Sequence, residues 1–185
     1  MLPLRVYKAV ADSTVLTAIA IAAELISFAG MTTRADRVNA LGAGLCPDLW
    51  FGYTPERLNG WYNGIGEDGC ILYQSVAHWD LFPYMVSYTI LIGSILVRVA
   101  RSTKNPLAIA HIMSVTLIMD IIESSVQLRG CQIYPNSRLD DRIVAIGSAA
   151  NQMKWVLFTV ALASIPVMFF LTWGRKREES ESKNQ

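Results

Sequence analysis

Apolar residues in this chain gather into four long runs separated by polar and charged stretches. The runs cover about residues 9–31, 71–97, 107–127 and 143–173. Each reaches the roughly 20 mostly apolar residues that carry a helix across a bilayer. The pattern predicts an all-α fold, a four-transmembrane-helix bundle over residues 1–174, with a short interfacial helix in the first extracytoplasmic loop. The polar end, residues 175–185, is expected to be a disordered tail.

The edges of the runs carry start and stop signals. Arg5 and Lys8 precede the first run, which has the layout of a signal peptide, but Asp12 and Glu24 interrupt it and the cleavage signal is poor. An uncleaved helix is the expectation. Arg98 and Arg101 close the second run, and Pro106 is placed to open the third. The fourth is longer than a bilayer needs and ends in Gly174-Arg175-Lys176-Arg177; Pro166 is expected to kink it.

Within the long loop between the first two runs, Thr54-Pro55-Glu56 reads as a helix start, with Thr54 as N-cap and Pro55 at the first helical position. Leu58, Trp61, Tyr62 and Ile65 follow at i, i+3, i+4 and i+7, giving one apolar face. Such a helix lies in the membrane interface or acts as a lid, and Gly64, Gly66 and Gly69 supply a pliable return to the second span.

With four spans, the N-terminus, the 98–106 loop and the C-terminus share one side. That side carries Arg98, Arg101, Lys104 and the basic cluster at 175–177, without an acid in the 98–106 loop, while the other side mixes both signs. Both termini are therefore expected in the cytoplasm.

Length adds that 185 residues make one domain, and a net charge of +1 favours no nucleic acid partner. The lipid bilayer is the expected partner. The small residues Gly147, Ser148, Ala149 and Ala150 suit packing against a membrane-protein partner or a second copy.

Candidate chemistry lies inside the spans, where ionisable residues cost on the order of 2.5–3.5 kcal/mol each at the centre and mark function. These are Glu24, Asp80, Asp120, Glu123 and Lys154, accompanied by Gln127 and Asn151. Counted from the extracytoplasmic ends at about 1.5 Å per residue, they fall within roughly one or two turns of a common depth. Asp120, Glu123 and Gln127 share a face at i, i+3, i+7, as do Asn151 and Lys154 at i, i+3. His111 is out of phase and reads as an isolated polar residue. Several carboxylates around one lysine cannot all be charged in a dry site, so either water enters or some stay protonated. Two readings stay open: a structural ion-pair network, and a polar cavity for a cation, a proton or a small solute. A transporter or a subunit of a larger complex is an alternative setting for either.

Metal chemistry has weak candidates. His78 and Asp80, with Glu123 as a third ligand, would suit an intramembrane hydrolase, but residues two apart on a helix diverge by about 160°. No cofactor, resident metal or catalytic residue is expected. Cys46, Cys70 and Cys131 all fall on the extracytoplasmic side. Cys70–Cys131 is one disulfide the spacing allows, Cys46–Cys70 the rival, and three free thiols the third option.

Tyr53-Thr54-Pro55-Glu56, Gly69 with Tyr73, and Asp80 with Pro83-Tyr84 resemble the first half of a broad family of small four-helix integral membrane proteins. Asp120 with Glu123, Tyr134-Pro135, and Asn151 with Lys154-Trp155 resemble its second half. The likeness covers about residues 50–173 and implies the topology and the importance of these positions. It implies no activity. The chain departs from the pattern at Cys70, where a basic residue is expected, and at Ser124, where asparagine is.

Overall fold

The computed structural model describes residues 4–101, 103 and 106–183, and every regular element among them is helical. Lys104, and the side chains of Arg175, Lys176 and Arg177, lie outside the described residues. The helices are α1 (Leu4–Asp12), α2 (Thr14–Asn39), α3 (Pro55–Trp79), α4 (Met85–Val99), α5 (Pro106–Ile133) and α6 (Asp141–Lys183). A 3₁₀ turn at Pro47–Leu49 interrupts the loop after α2, and a π-helical turn, Asp80–Tyr84, joins α3 to α4 without a gap.

Among the described residues, four segments are long and apolar enough to cross a membrane: Thr14–Asn39, Pro55–Val99, Leu107–Ile133 and Asp141–Thr172. Their surroundings differ. Only 11% of the most apolar stretch of α2 and 6% of that of α6 is covered by protein, against 50% for the α3–α4 segment and 44% for α5. Ile19, Leu25 and Ile26 on α2, and Val156, Val167 and Phe170 on α6, face outward. In water such faces would be unstable; in lipid they are the surface a membrane helix needs.

The first predicted helix is broken. Ser13 adopts an extended conformation, with φ −115° and ψ 123°. Its Oγ accepts the Leu16 N–H at 3.2 Å, so a local cap competes successfully with a continuous helix. Arg98 and Arg101 then donate to the freed Ala11 carbonyl at the end of α1, at 2.8–3.0 Å, which satisfies an acceptor the helix end leaves open. Tyr7, Val10 and Ala11 are buried, and Tyr7 and Ala11 pack with Val97 and Ala110. The spanning helix starts later and runs further than 9–31.

Three further boundaries differ. The loop helix beginning at Pro55 is not a separate surface element but continues into the second span, bent at Gly66. Gly66 has a φ of 68°, which only glycine adopts without strain. Its Leu58, Trp61, Tyr62 and Ile65 are buried among Tyr73, Val126, Cys131 and Val144, rather than facing headgroups. The third span extends to Ile133. Helix α6 continues to Lys183, across a stretch expected to be disordered, because Arg, Lys and Glu are strong helix formers and no proline follows Pro166.

Besides the small cluster around Tyr7, the core of the described residues holds two larger apolar clusters. One gathers the Trp61 face; the other packs Met85, Tyr88 and Leu96 with Met113, Leu117 and Ala161. On α5 the polar residues Asp120 and Glu123 fall between Leu117 and Val126. On α6, Asn151 and Lys154 fall between Val144 and Ala161. The charged residues thus form a layer between two apolar plugs.

Candidate functional site

Lys154 stands at the middle of that layer. Its Nζ lies 2.6 Å from Glu123 Oε2, 3.1 Å from Asp120 Oδ1 and 3.4 Å from the Asp48 carbonyl oxygen. The ammonium is thus ion-paired with two carboxylates and donates to the loop carbonyl. Glu123, wholly buried, also accepts Asn151 Nδ2 at 2.5 Å and Gln127 Nε2 at 2.8 Å on Oε1. Helix α5 places Glu123 and Gln127 one turn apart on the inner face, and α6 does the same with Asn151 and Lys154.

This inner network reaches the loop. Asn151 Oδ1 accepts the Gly52 N–H at 2.8 Å, and Ser148 Oγ accepts the Tyr53 N–H at 2.8 Å. Gly52 has a φ of 78°, and a Cβ there would run into the Gln152 side chain. The positive φ is what calls for glycine, since the exposed Gln152 side chain can turn aside. Tyr73 donates its hydroxyl to Gln127 Oε1, and Tyr62 donates to the Gln127 carbonyl at 3.0 Å. Trp155 Nε1 donates to the Asp48 carbonyl at 3.2 Å. The 46–54 loop is thereby tied to α6 over about two helical turns.

On the other side of Lys154 the packing opens. Asp48, Asp80 and Asp120 line a cavity of about 110 Å³ with Tyr84, Tyr88, Trp155 and Phe158. Asp120 Oδ2 accepts the Tyr88 hydroxyl at 2.5 Å, and Asp80 Oδ2 accepts the Ser124 hydroxyl at 3.0 Å. Asp80 is nine-tenths buried, and its Oδ1 has no hydrogen-bond partner among the described residues. Asp48 Oδ1 is buried and equally without a partner among them. Burial pushes the Asp48 carboxyl above the ordinary aspartate value, an effect that the nearby Lys154 charge only partly offsets.

Of the residues expected from the sequence, Asp80, Asp120, Glu123, Gln127, Asn151 and Lys154 meet at this centre. Glu24 does not. Its Oε2 accepts the Ser87 hydroxyl at 2.6 Å, and Ser87 is bonded in turn to Ser27, a separate bridge between α2 and α4. The fourth carboxylate near Lys154 is instead Asp48, from the loop. His78 is exposed, its Nδ1 2.5 Å from the Gln74 carbonyl, and takes no part. Among the described residues no group of three or more His, Cys, Asp or Glu is arranged to hold a metal ion. All three cysteines are buried free thiols, with Cys70 and Cys131 within hydrogen-bonding reach of one another.

Asp48, Tyr88 and Ser124 join the centre without having been expected there, and Tyr73 was marked only by the family resemblance. Tyr73, Asp80, Tyr84 and Tyr88 recur at i, i+7, i+11 and i+15, a helical repeat that would have placed the tyrosines on the Asp80 face. Asp48 carries no such signal, since an acid in a polar loop ordinarily faces water. No family model, curated protein or solved structure matches the chain.

Proposed function

We propose that this polytopic membrane protein binds a small organic cation in the cavity beside Lys154. The carrying observation is the charge count: three aspartates line the cavity, and the one cation among its described walls, Lys154, is already ion-paired with Glu123 and Asp120 and bonded to a backbone carbonyl. Carboxylates in such a place are either protonated or neutralised by a guest, since unpaired buried charge is too costly to keep. Tyr84, Tyr88, Trp155 and Phe158 add ring faces, and a ring face attracts an ammonium by about 0.5–2 kcal/mol. The cavity measures about 110 Å³. That suits a head of a few heavy atoms, as one water takes up about 30 Å³ of the liquid.

The basic residues support an extracytoplasmic opening. The cavity lies at the end of α6 that carries the 46–54 loop, whereas Arg98 and Arg101 cap the opposite ends of the helices. The bent segment from Pro55 to Gly66, with its buried Trp61 face, then closes the outer end of the four-helix bundle.

Calorimetric titration of the protein in micelles with propylammonium tests this, with propanol as the neutral control. Saturable binding of the ammonium alone is expected, weakened at least tenfold, or about 1.4 kcal/mol, by Asp80→Asn and unchanged by Glu24→Gln. If folded wild-type protein takes up no ammonium, or Asp80→Asn binds it as well, the proposal fails.

A further inference from the structure

The charged cavity does not end in protein. Leu49 and Trp155 also line a second, open groove of about 490 Å³, whose other walls are Trp50, Phe51, Val156, Thr159 and Val160. These residues belong to the outward side of α6 and to the loop strapped against it. Phe51, Val156 and Val160 are exposed, on or beside a helix with a long apolar stretch that protein barely covers. A groove of this kind on a membrane helix is filled by hydrocarbon, because water is absent there. Here it shares two walls with a site for a cation head. The cavity alone is too small for a lipid-sized molecule; with the groove it falls in the range of about 300–1,000 Å³ typical of ligand sites.

From this juxtaposition we infer that the guest is a single-chain amphiphile with a protonated amine head, entering sideways from the bilayer. The ammonium sits among Asp48, Asp80 and Asp120, and the alkyl chain passes between Leu49 and Trp155 to lie along Val156 and Val160. Charge complementarity selects the head: an anionic phosphate or carboxylate head would meet three aspartates. The groove selects the tail, since Val156 and Val160 lie one turn apart and line one side of it. Trp155 serves both, lining cavity and groove alike, and its Nε1–H is held by the Asp48 carbonyl, so it stands fixed at the junction. This inference rests on the cation-binding reading and adds to it the chain and the lateral route.

A ten-carbon alkylammonium with a diazirine at its far end provides the test, with the protein in micelles and the label mapped by mass spectrometry. Label is expected on the 155–160 segment or on Trp50 and Phe51, removed by excess unlabelled decylammonium and absent in Asp80→Asn. Val156→Trp should weaken decylammonium at least about tenfold, as losing the burial of two methylenes would, and leave propylammonium unchanged. If Val156→Trp affects neither amine while Asp80→Asn loses both, the amphiphile inference is overturned and the cation site stands. If decylammonium labels the groove equally in wild type and Asp80→Asn, and propylammonium does not bind, the cation site itself falls. Competed label elsewhere on α2 or α6 overturns the lateral route.

Discussion

The two sides of Lys154 hold the same kinds of residue and are built differently. On the Glu123 side one carboxylate oxygen accepts from Asn151 and Gln127, the other is ion-paired with Lys154 at 2.6 Å, and nothing is exposed. On the Asp80 side, Asp48 and Asp80 each keep an oxygen without a partner among the described residues, and aromatic rings surround open space. A satisfied buried network specifies packing, while an unsatisfied one is costly and persists where something else completes it. The same lysine thus joins a bonded network on one face and borders the proposed cation site on the other.

The largest effect expected is on the scaffold side. Lys154→Met leaves Glu123 buried without its cation, a loss of about 3–5 kcal/mol. Unfolding in mixed micelles of rising SDS fraction measures it. The double variant Glu123→Gln with Lys154→Met should recover most of that loss, since both charges then leave together. A single variant as stable as wild type would mean the two sides are not different.

Next comes Asn151→Ala, expected to cost about 1–3 kcal/mol, because it strands the Gly52 N–H and removes one donor from Glu123. The same titration reads it. The loop should loosen with the helix contact, so faster proteolysis within residues 46–54 is the accompanying sign. Without it, the tie between loop and α6 is not what holds the loop.

The spans were legible because long apolar runs in lipid admit few alternatives to helix. Convergence of Asp120, Glu123, Asn151 and Lys154 was legible from their i, i+3 spacing. Three things were not. Ser13 breaks the first helix through one side-chain bond, and a serine in an apolar run gives no hint whether it caps or continues. The Trp61 face reads the same whether an aromatic stripe meets headgroups or a protein core, since both are apolar with a polar edge. Asp48 belongs to the site only because the 3₁₀ turn folds the loop back onto α6, a long-range contact that no local period records. Glu24 shared the expected depth but not the direction: depth along a helix says nothing of which neighbour its face meets.

A smaller effect on stability and a larger one on binding should mark the cavity side. Asp80→Asn keeps an oxygen for the Ser124 hydroxyl and removes a desolvated charge, so stability should change by less than about 1 kcal/mol. Propylammonium binding should nevertheless drop. If Asp80→Asn destabilises as much as Lys154→Met, the cavity side is scaffold as well and the contrast collapses.

Asp48 gives the smallest and most discriminating outcome, because its sign is opposite to that of a salt-bridged carboxylate. Burial raises its folded pKa above the ordinary value of 3.8. Between that ordinary value and the raised one, the folded chain holds a proton that the unfolded chain has released. Stability therefore falls as pH rises through this window, and the loss is complete once the pH passes the folded pKa. Asp48→Asn removes the titration. Relative to wild type it should gain thermal stability progressively as pH rises above the ordinary aspartate value, with no difference below. Saturating propylammonium should narrow that gap in wild type, because a cation in the cavity favours the ionised carboxylate. A gap that is flat across pH, or untouched by the amine, would place Asp48 outside the site and leave Asp80 and Asp120 to hold the guest without it.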